Sequence, residues 1–304
     1  MGKQTKMSGS HFGGEWTKQK LYIIDHYLGA YSTALKNQRV KRIYVDGFAG
    51  SGKTELKIKG ESDYSGALFQ IDDGIPQENE DSSIIDGSAL LSLKYDFDEY
   101  YFLELDISRI EALKANIERE YPYKMKQVHF INGDCNQTLI EVLSKITKYD
   151  RCLMFLDPYA LELKWETLEV ISRCGVVDLW YLFPLSMVRL LDKSREISKG
   201  NRDKVSSILG TEDWYDKLFI KSSQMSLFGE DTFTRVPYED ILKYIKERFS
   251  TIFPYVSPDS KVLRNEAKNS PMFLLSFMMT NKSPRAQALA AKLVKDIIRK
   301  TEKL

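Results

Sequence analysis

The residues best suited to chemistry follow the first apolar strand pattern of the chain. Residues 40–46 (VKRIYVD) predict a buried strand, and the glycine-rich loop GFAGSGKT comes directly after it. A strand that enters a glycine-rich loop is typical of nucleotide-type βαβ units, because glycine lets the backbone approach a ligand closely. The sequence therefore predicts a ligand pocket built around six residues: Asp46, Gly47, Phe48, Ala49, Gly50 and Gly52.

The same loop satisfies the P-loop pattern G-x-x-x-x-G-K-[ST]. In that interpretation Lys53 would reach the terminal phosphates of a nucleotide and Thr54 would bind magnesium. A P-loop opens directly into a helix, but the following residues, ELKIKGESDYSG, carry no apolar helical face. Asp46 would also bring a carboxylate close to the phosphates. A P-loop-type nucleotide-binding protein is therefore the alternative, and not the favoured interpretation.

The favoured interpretation takes residues 46–52 as D-x-F-x-G-x-G, a loop for S-adenosylmethionine. This cofactor carries a sulfonium and an ammonium group in place of phosphates. A carboxylate at the end of the strand then helps, because Asp46 can contact the methionine amine directly or through water. Glycines let the backbone pass closely under the cofactor. A plain tight turn is a third interpretation of the loop.

Acidic residues also stand at the ends of the next predicted strands, where ligands of open α/β sheets bind. Glu104 can accept hydrogen bonds from both ribose hydroxyls of the cofactor, whereas Asp106 is suited to cap the helix that follows. Asp134 can accept a hydrogen bond from the adenine amino group. An ordinary turn or helix cap is the alternative role of Asp134.

The segment Asp157-Pro158-Tyr159-Ala160 ends a further strand and supplies the catalytic candidates. Asp157 would lie at the mouth of the site, beside the cofactor, and would hold or deprotonate the nucleophile. Tyr159 would stack on an extruded base, as the aromatic residue of D-P-P-Y does in methyltransferases that act on amino groups. The ring comes one position earlier here, which weakens the stacking role. Asp157 as a simple turn cap is the alternative.

Alternating strand and helix patterns must position these residues. After residues 40–46, strand patterns recur at four places: 99–104, 126–131, 151–156 and 176–183. Helical patterns lie between them, and this alternation predicts a parallel, doubly wound sheet. Residues 260–280 predict a β-hairpin at the sheet edge, and 283–303 predict a basic amphipathic helix. The expected fold class is α/β: a Rossmann-like methyltransferase sheet of parallel strands, with an antiparallel C-terminal hairpin and helices on both faces.

Composition favours a globular enzyme. The chain has 304 residues, of which 43% are hydrophobic and 29% are charged, so one elaborated domain can bury a core. We expect a flexible leader at 1–15 and a methyltransferase-like domain at 16–304. This domain would contain a loop insertion at 55–86, poor in apolar periodicity, and a helical insertion at 186–250.

Charge and residue counts limit the partners. Lys and Arg number 44 against 43 Asp and Glu, which argues against gripping nucleic acid by bulk charge. A local basic patch on the helical insertion would favour a nucleic-acid substrate, although a solvated helical face is the alternative. The residues of this patch are Arg189, Arg195, Lys199 and Arg202. The chain has three isolated cysteines and three histidines without the spacing of metal ligands, so no metal site is expected. The cysteine usage suits a reducing cytoplasm. No run approaches the ~20 apolar residues of a membrane span.

The chain resembles the three-Cys-motif partner proteins (TcmP) over residues 16–298. Seven blocks carry the resemblance: Trp16-Thr17-Lys18, IYVDGFAGSG, Gly87-Ser88-Ala89-Leu90, FDEYYFLELD at 97–106, Phe155–Tyr159 with Trp165, Phe183-Pro184, and Thr280-Asn281 with Pro284-Arg285. The chain departs from the family pattern in four ways. Ala160 replaces the usual glycine, Ala89 stands where proline is common, the 55–86 insertion is longer than usual, and Lys53-Thr54 is idiosyncratic.

The resemblance implies a class I S-adenosylmethionine-dependent methyltransferase fold, with Ser88 among the cofactor-binding residues. It also implies a gene-neighbour partner protein that bears a three-cysteine, radical-type iron–sulfur motif. The three cysteines of this chain are unrelated to that motif. A non-catalytic subunit that retains the fold is the alternative to an active enzyme.

Overall fold

The structure is a computed structural model that describes five stretches of the chain: 14–56, 83–191, 195–221, 232–265 and 268–302. Most of the expected leader, residues 1–13, lies outside the described residues. So does the larger part of the expected loop insertion, residues 57–82.

The described residues form twelve strands and nine α-helices. The strands are β1 (Arg42–Asp46), β2 (Lys53–Leu56), β3 (Ser83–Asp86), β4 (Glu99–Glu104), β5 (Val128–Asn132), β6 (Arg151–Leu156), β7 (Val177–Pro184), β8 (Phe219–Lys221), β9 (Phe233–Arg235), β10 (Tyr255–Val256), β11 (Lys261–Arg264) and β12 (Pro271–Met279). The helices are α1 (Glu15–Leu35), α2 (Ser88–Ser92), α3 (Ile107–Glu120), α4 (Cys135–Lys145), α5 (Trp165–Ser172), α6 (Lys199–Leu209), α7 (Trp214–Lys217), α8 (Tyr238–Ser250) and α9 (Pro284–Thr301).

Eight strands form the central sheet, in the order β10-β12-β7-β6-β1-β4-β5, with β11 also paired to β12. The strands β1, β4, β5, β6 and β7 run parallel to their neighbours. β12 runs antiparallel to β7, with Phe273 opposite Pro184, and the hairpin of β11 and β12 closes this edge. The predicted parallel sheet with an antiparallel C-terminal hairpin is thereby confirmed.

Two hydrophobic cores cover the two faces of the sheet. On one face the apolar sides of α1, α2, α3 and α9 pack against the strands, and α1 also contacts α9. On the other face α4, α5, α6 and α8 form the second core. The central strands β6 and β7 are buried almost throughout, as strands covered on both faces must be. Helices therefore cover both faces, as predicted.

Three details differ from the sequence expectation. Residues 55–86 begin and end as paired strands, because β2 and β3 form an antiparallel ribbon with Thr54 opposite Ile85. The stretch 186–250 contains the two-stranded sheet of β8 and β9 as well as helices. The sheet edge also carries the two-residue strand β10. Each of these strands has two to four residues, too few to show a strand period in the sequence.

None of the helices in the described stretches is long and apolar enough to cross a lipid bilayer.

Candidate cofactor site

The predicted site residues meet at one edge of the sheet because β1 lies between β4 and β6. Asp46, the last residue of β1, is level with Phe102 of β4 and Phe155 of β6. Glu104 and Asp157 each follow two residues later on those neighbouring strands. The carboxyl ends of parallel strands therefore bring three carboxyl groups to the same edge, which is where ligands of such sheets bind.

Backbone hydrogen bonds lay the glycine-rich loop across the ends of the neighbouring strands. The amide of Gly47 donates to the carbonyl of Phe155 at 3.0 Å, and the amide of Ala49 donates to the carbonyl of Leu103 at 2.9 Å. On the far side of the loop, the buried side chain of Asn116 donates to the carbonyl of Ser51 at 2.9 Å. These contacts hold the loop against both β6 and β4.

The glycines of this loop serve different purposes. A Cβ on Gly47 would come 2.4 Å from Leu156 Cδ2, so packing against β6 excludes a side chain there. Gly52 has a φ of +78° and a Cβ on it would come 2.6 Å from Leu113 Cδ1. Gly50 has a φ of +59°, and a Cβ on it would meet nothing within 4 Å. Gly50 is therefore the glycine whose backbone borders open space, where a ligand can approach.

The P-loop alternative is wrong for this structure. Lys53 begins the strand β2 directly after the loop, so the helix N-terminus that a P-loop needs at this point is replaced by a strand. The ammonium of Lys53 lies 2.6 Å from Asp86 Oδ1 and 3.1 Å from Glu120 Oε1. Lys53 thus joins the ribbon of β2 and β3 to α3 and does not point toward a phosphate position.

Asp46 is a fully buried carboxyl group at the centre of the site. It accepts hydrogen bonds from the Phe48 amide at 3.2 Å and the Tyr44 hydroxyl at 3.4 Å, and it is also bonded to the Ser88 side chain. Burial raises the pKa of Asp46 to about 7, although the hydrogen bonds from Ser88 and Phe48 act in the opposite direction. A carboxyl group that titrates near neutrality will be stabilised as a carboxylate by an incoming cation.

The structure separates the roles of Glu104 and Asp106. One carboxylate oxygen of Glu104 accepts from the Gly50 amide at 2.9 Å and the other from the Asp106 amide at 3.0 Å. Asp106 caps α3 by accepting from the Ser108 amide at 2.8 Å, and its hydrogen bonds with Ser108 lower its pKa. Glu104 is thus held beside the glycine-rich loop, and Asp106 has the capping role that its position favoured.

Asp134 caps the next helix, α4. Its Oδ1 accepts from both the backbone amide and the side-chain amide of Asn136, each at 2.9 Å. The neighbouring Asn132 ties the end of β5 to β4 by donating to the Glu104 carbonyl at 3.0 Å. The capping alternative for Asp134 is therefore present in the structure, and its contact with adenine stays a prediction.

Asp157 forms an ion pair that the sequence analysis missed. Its Oδ2 accepts a hydrogen bond from the ammonium of Lys20 on α1, and the Asp157 side chain is 24% exposed. Lys20 itself is buried, in line with Ile24 and Tyr27 on the apolar stripe of α1. A lysine within a buried helical stripe is the signal that could have revealed it, because buried lysines are paired with few exceptions.

Within the rest of the D-P-Y segment, Pro158 is buried and Tyr159 is exposed. Tyr159 is 42% exposed, so its ring is accessible beside Asp157. Ala160 has a φ of +55°, in the left-handed region that favours glycine. The residue that departs from the family pattern is therefore also a residue with backbone strain.

The expected basic patch of the helical insertion is partly neutralised. Arg195 is ion-paired with Asp216, and its guanidinium lies 4.4 Å from the centroid of the Tyr215 ring. Arg202 lies 3.2 Å from Glu212 and stacks on the same ring at 4.3 Å. Both guanidinium groups are thus paired with carboxylates of the same chain, which would compete with a phosphate group for them.

Cys135 and Cys152 are buried, which raises the pKa of both thiols. Within the stretches that the structure describes, no group of three or more His, Cys, Asp and Glu side chains could hold a metal ion.

Comparison with known proteins adds likeness of fold. No family model and no curated protein matches the chain. Similar solved structures include a DUF519-family protein of Legionella pneumophila str. Philadelphia 1, with 16% identity over 95% of this chain and 94% of that chain and a TM-score of 0.47. Spermidine synthase from Thermotoga maritima has 11% identity over 90% and 62% of the two chains and a TM-score of 0.41. Trm1 from Pyrococcus horikoshii, in complex with S-adenosyl-L-methionine, has 9% identity over 92% and 58% and a TM-score of 0.42.

All three TM-scores are below 0.5, so these likenesses assign neither a function nor a site residue to this chain. The chain spans less than two thirds of the spermidine synthase and of Trm1. Membership of the three-Cys-motif partner family stays a prediction from the sequence blocks, and the site is interpreted from the geometry of this chain.

Proposed function

We propose that this protein is an S-adenosylmethionine-dependent methyltransferase that acts on an amino group of a nucleic-acid base. The observation that carries the proposal is the set of carboxyl groups around one glycine-rich loop. Asp46 lies under the loop, Glu104 is bonded to the Gly50 amide, and Asp157 stands on the other neighbouring strand. This set suits a ligand that is cationic at one end and carries a ribose.

The residues of the chain fit the cofactor part by part. Asp46 would hold the ammonium group, because a buried carboxyl with a pKa of about 7 gains a counter-ion there. Each carboxylate oxygen of Glu104 accepts one amide hydrogen bond and has a further lone pair. These lone pairs would accept hydrogen bonds from the ribose hydroxyls. Gly50 would leave room for the cofactor above the loop. The bound cofactor supplies an electrophilic methyl group on its sulfonium.

Asp157 and Tyr159 would serve the methyl acceptor. Lys20 binds Oδ2 of Asp157, so the other oxygen, Oδ1, is the one that would face the acceptor. Pro158 restricts Asp157 to extended backbone, so this oxygen is held in place to accept from an amine. The exposed ring of Tyr159 offers a flat surface for a base. Positioning the amine in line with the methyl group is the main task of such residues.

Ligand binding tests the first half of the proposal. Thermal unfolding would be followed with S-adenosylmethionine, S-adenosylhomocysteine and ATP with magnesium. Either adenosyl ligand at 100 times its dissociation constant should add about 2.7 kcal/mol to stability, and ATP should add nothing. Asp46→Asn should bind weakly and so reduce the stabilisation at the same ligand concentration, whereas Asp106→Asn, at a capping residue outside the site, should retain it in full. Stabilisation by ATP alone would overturn the proposal.

Methyl transfer tests the second half. Transfer of labelled methyl groups would be measured on RNA, DNA and protein fractions. We expect label in a nucleic acid, and loss of transfer by a factor of about 10²–10⁴ in Asp157→Asn with cofactor affinity within a few-fold. Label confined to protein would overturn the acceptor class, and full activity of Asp157→Asn would remove Asp157 from its role.

A further inference from the structure

Two buried side chains of the first turns of α1, Thr17 and Lys20, have polar groups that the proposed site does not yet use. Thr17 is 1% exposed, and its hydroxyl has no hydrogen-bond partner among the described residues. Lys20 is 8% exposed, and its ammonium has three donors, of which one binds Asp157. Buried polar groups are nearly always paired, so an unpaired hydroxyl beside a ligand site points to a partner that the ligand supplies.

Helix geometry places both side chains on the same face of α1. Residues three apart lie on one face of a helix, so Thr17 lies one turn from Lys20 on the side that reaches Asp157. Lys20 is also close enough to Asp46 for its positive charge to lower the pKa of that carboxyl group. The unpaired hydroxyl of Thr17 therefore belongs to the same buried face of α1 as Lys20.

The charges at this end suit a zwitterion. Asp46 and Asp157 offer two acidic groups for the one ammonium of Lys20, and Asp46 is the group without a cation bonded to it. Lys20 has two further N–H donors, and the hydroxyl of Thr17 has no partner among the described residues. The first amides of α1 carry the positive end of the helix dipole. A ligand ammonium would give Asp46 a counter-ion, and a ligand carboxylate beside it would accept hydrogen bonds from Lys20 and Thr17.

We propose that Lys20 and Thr17 bind the α-carboxylate of the amino-acid moiety of the cofactor, while Asp46 binds its ammonium. This subsite rests on the proposed function, since it assigns one end of the same ligand. It makes the protein selective for adenosyl ligands that retain the carboxylate. The ion pair with Asp157 then links this subsite to the acceptor side, because Lys20 contacts both.

A ligand that lacks only the carboxylate tests the subsite. Decarboxylated S-adenosylmethionine retains the sulfonium and the amine, so calorimetric affinities for it and for S-adenosylmethionine isolate the carboxylate contact. The wild type should bind S-adenosylmethionine at least about tenfold more tightly than the decarboxylated ligand. Lys20→Met should remove this preference, and Thr17→Val, which keeps the shape of the side chain, should reduce it about threefold.

Matched variants separate the subsite from a structural role. Lys18→Met alters a lysine of the same helix whose side chain is 54% exposed, and both affinities should stay unchanged. Lys20→Arg keeps the charge and should keep part of the preference. Lys20→Met that weakens both ligands by the same factor would overturn the subsite and make Lys20 a support for Asp157. Equal affinity of the wild type for the two ligands would overturn it too, and binding of neither ligand would overturn the proposed function with it.

Discussion

Cofactor affinity should depend on pH through Asp46. Burial raises the pKa of this carboxyl group to about 7 in the folded protein. An ammonium group binds to the ionised form, and below neutral pH most Asp46 side chains hold a proton. Cofactor binding must therefore release that proton, and affinity must rise as the pH rises toward 7.

The size of the effect follows from the titration of one group. With a pKa of about 7, the ionised fraction of Asp46 is about one tenth at pH 6 and about one half at pH 7. Affinity for the cofactor should then rise about fivefold over this interval, or about 1 kcal/mol. At pH 6 the release should be about 0.9 proton for each cofactor bound.

Calorimetry in buffers of different ionisation enthalpy measures both quantities with S-adenosylhomocysteine. Asp46→Asn should bind weakly, release no proton and show no change in affinity over the interval. Asp178→Asn is the matched control, because burial raises the pKa of Asp178 to about 7 as well, near the start of β7 and away from the site. Proton release that persists in Asp46→Asn, or disappears in Asp178→Asn, would refute the assignment of the ammonium to Asp46.

Three further substitutions test separate parts of the structure. Glu104→Ala should weaken cofactor binding by about 1.5–3 kcal/mol in calorimetry, as expected for hydrogen bonds to a charged acceptor, while Asp106→Ala at the adjacent helix cap should not. Lys53→Ala should leave cofactor affinity within about twofold, because its ammonium binds two carboxylates of the fold, and a hundredfold loss would speak for a phosphate-type ligand. Ala160→Gly should raise the free energy of unfolding by about 0.5–1 kcal/mol in urea titrations, because glycine tolerates a φ of +55° without strain, and a loss of stability would contradict this.

The sequence by itself determined the sheet and the edge at which ligands bind. Each parallel strand is a short apolar run bounded by turn residues. Strands that are buried on both faces appear in the sequence as such continuous apolar runs, so their positions can be predicted. The preference for Glu104 over Asp106 also came from local pattern, since a capping aspartate is recognised by the helix that it precedes. These features depend on neighbouring residues in the chain, and so they can be deduced without the fold.

Only the tertiary structure decided how the carboxyl groups are paired and charged. Lys20 and Asp157 are 137 residues apart, and they meet because α1 packs across the sheet with this lysine on its buried stripe. The raised pKa of Asp46 likewise comes from the helices and loop that exclude water from it. The P-loop pattern misassigned Lys53 for a related reason. Its ammonium pairs with Asp86 on the neighbouring strand β3, which lies outside the motif. Contacts between residues distant in the chain depend on how whole elements pack, and no local pattern contains that information.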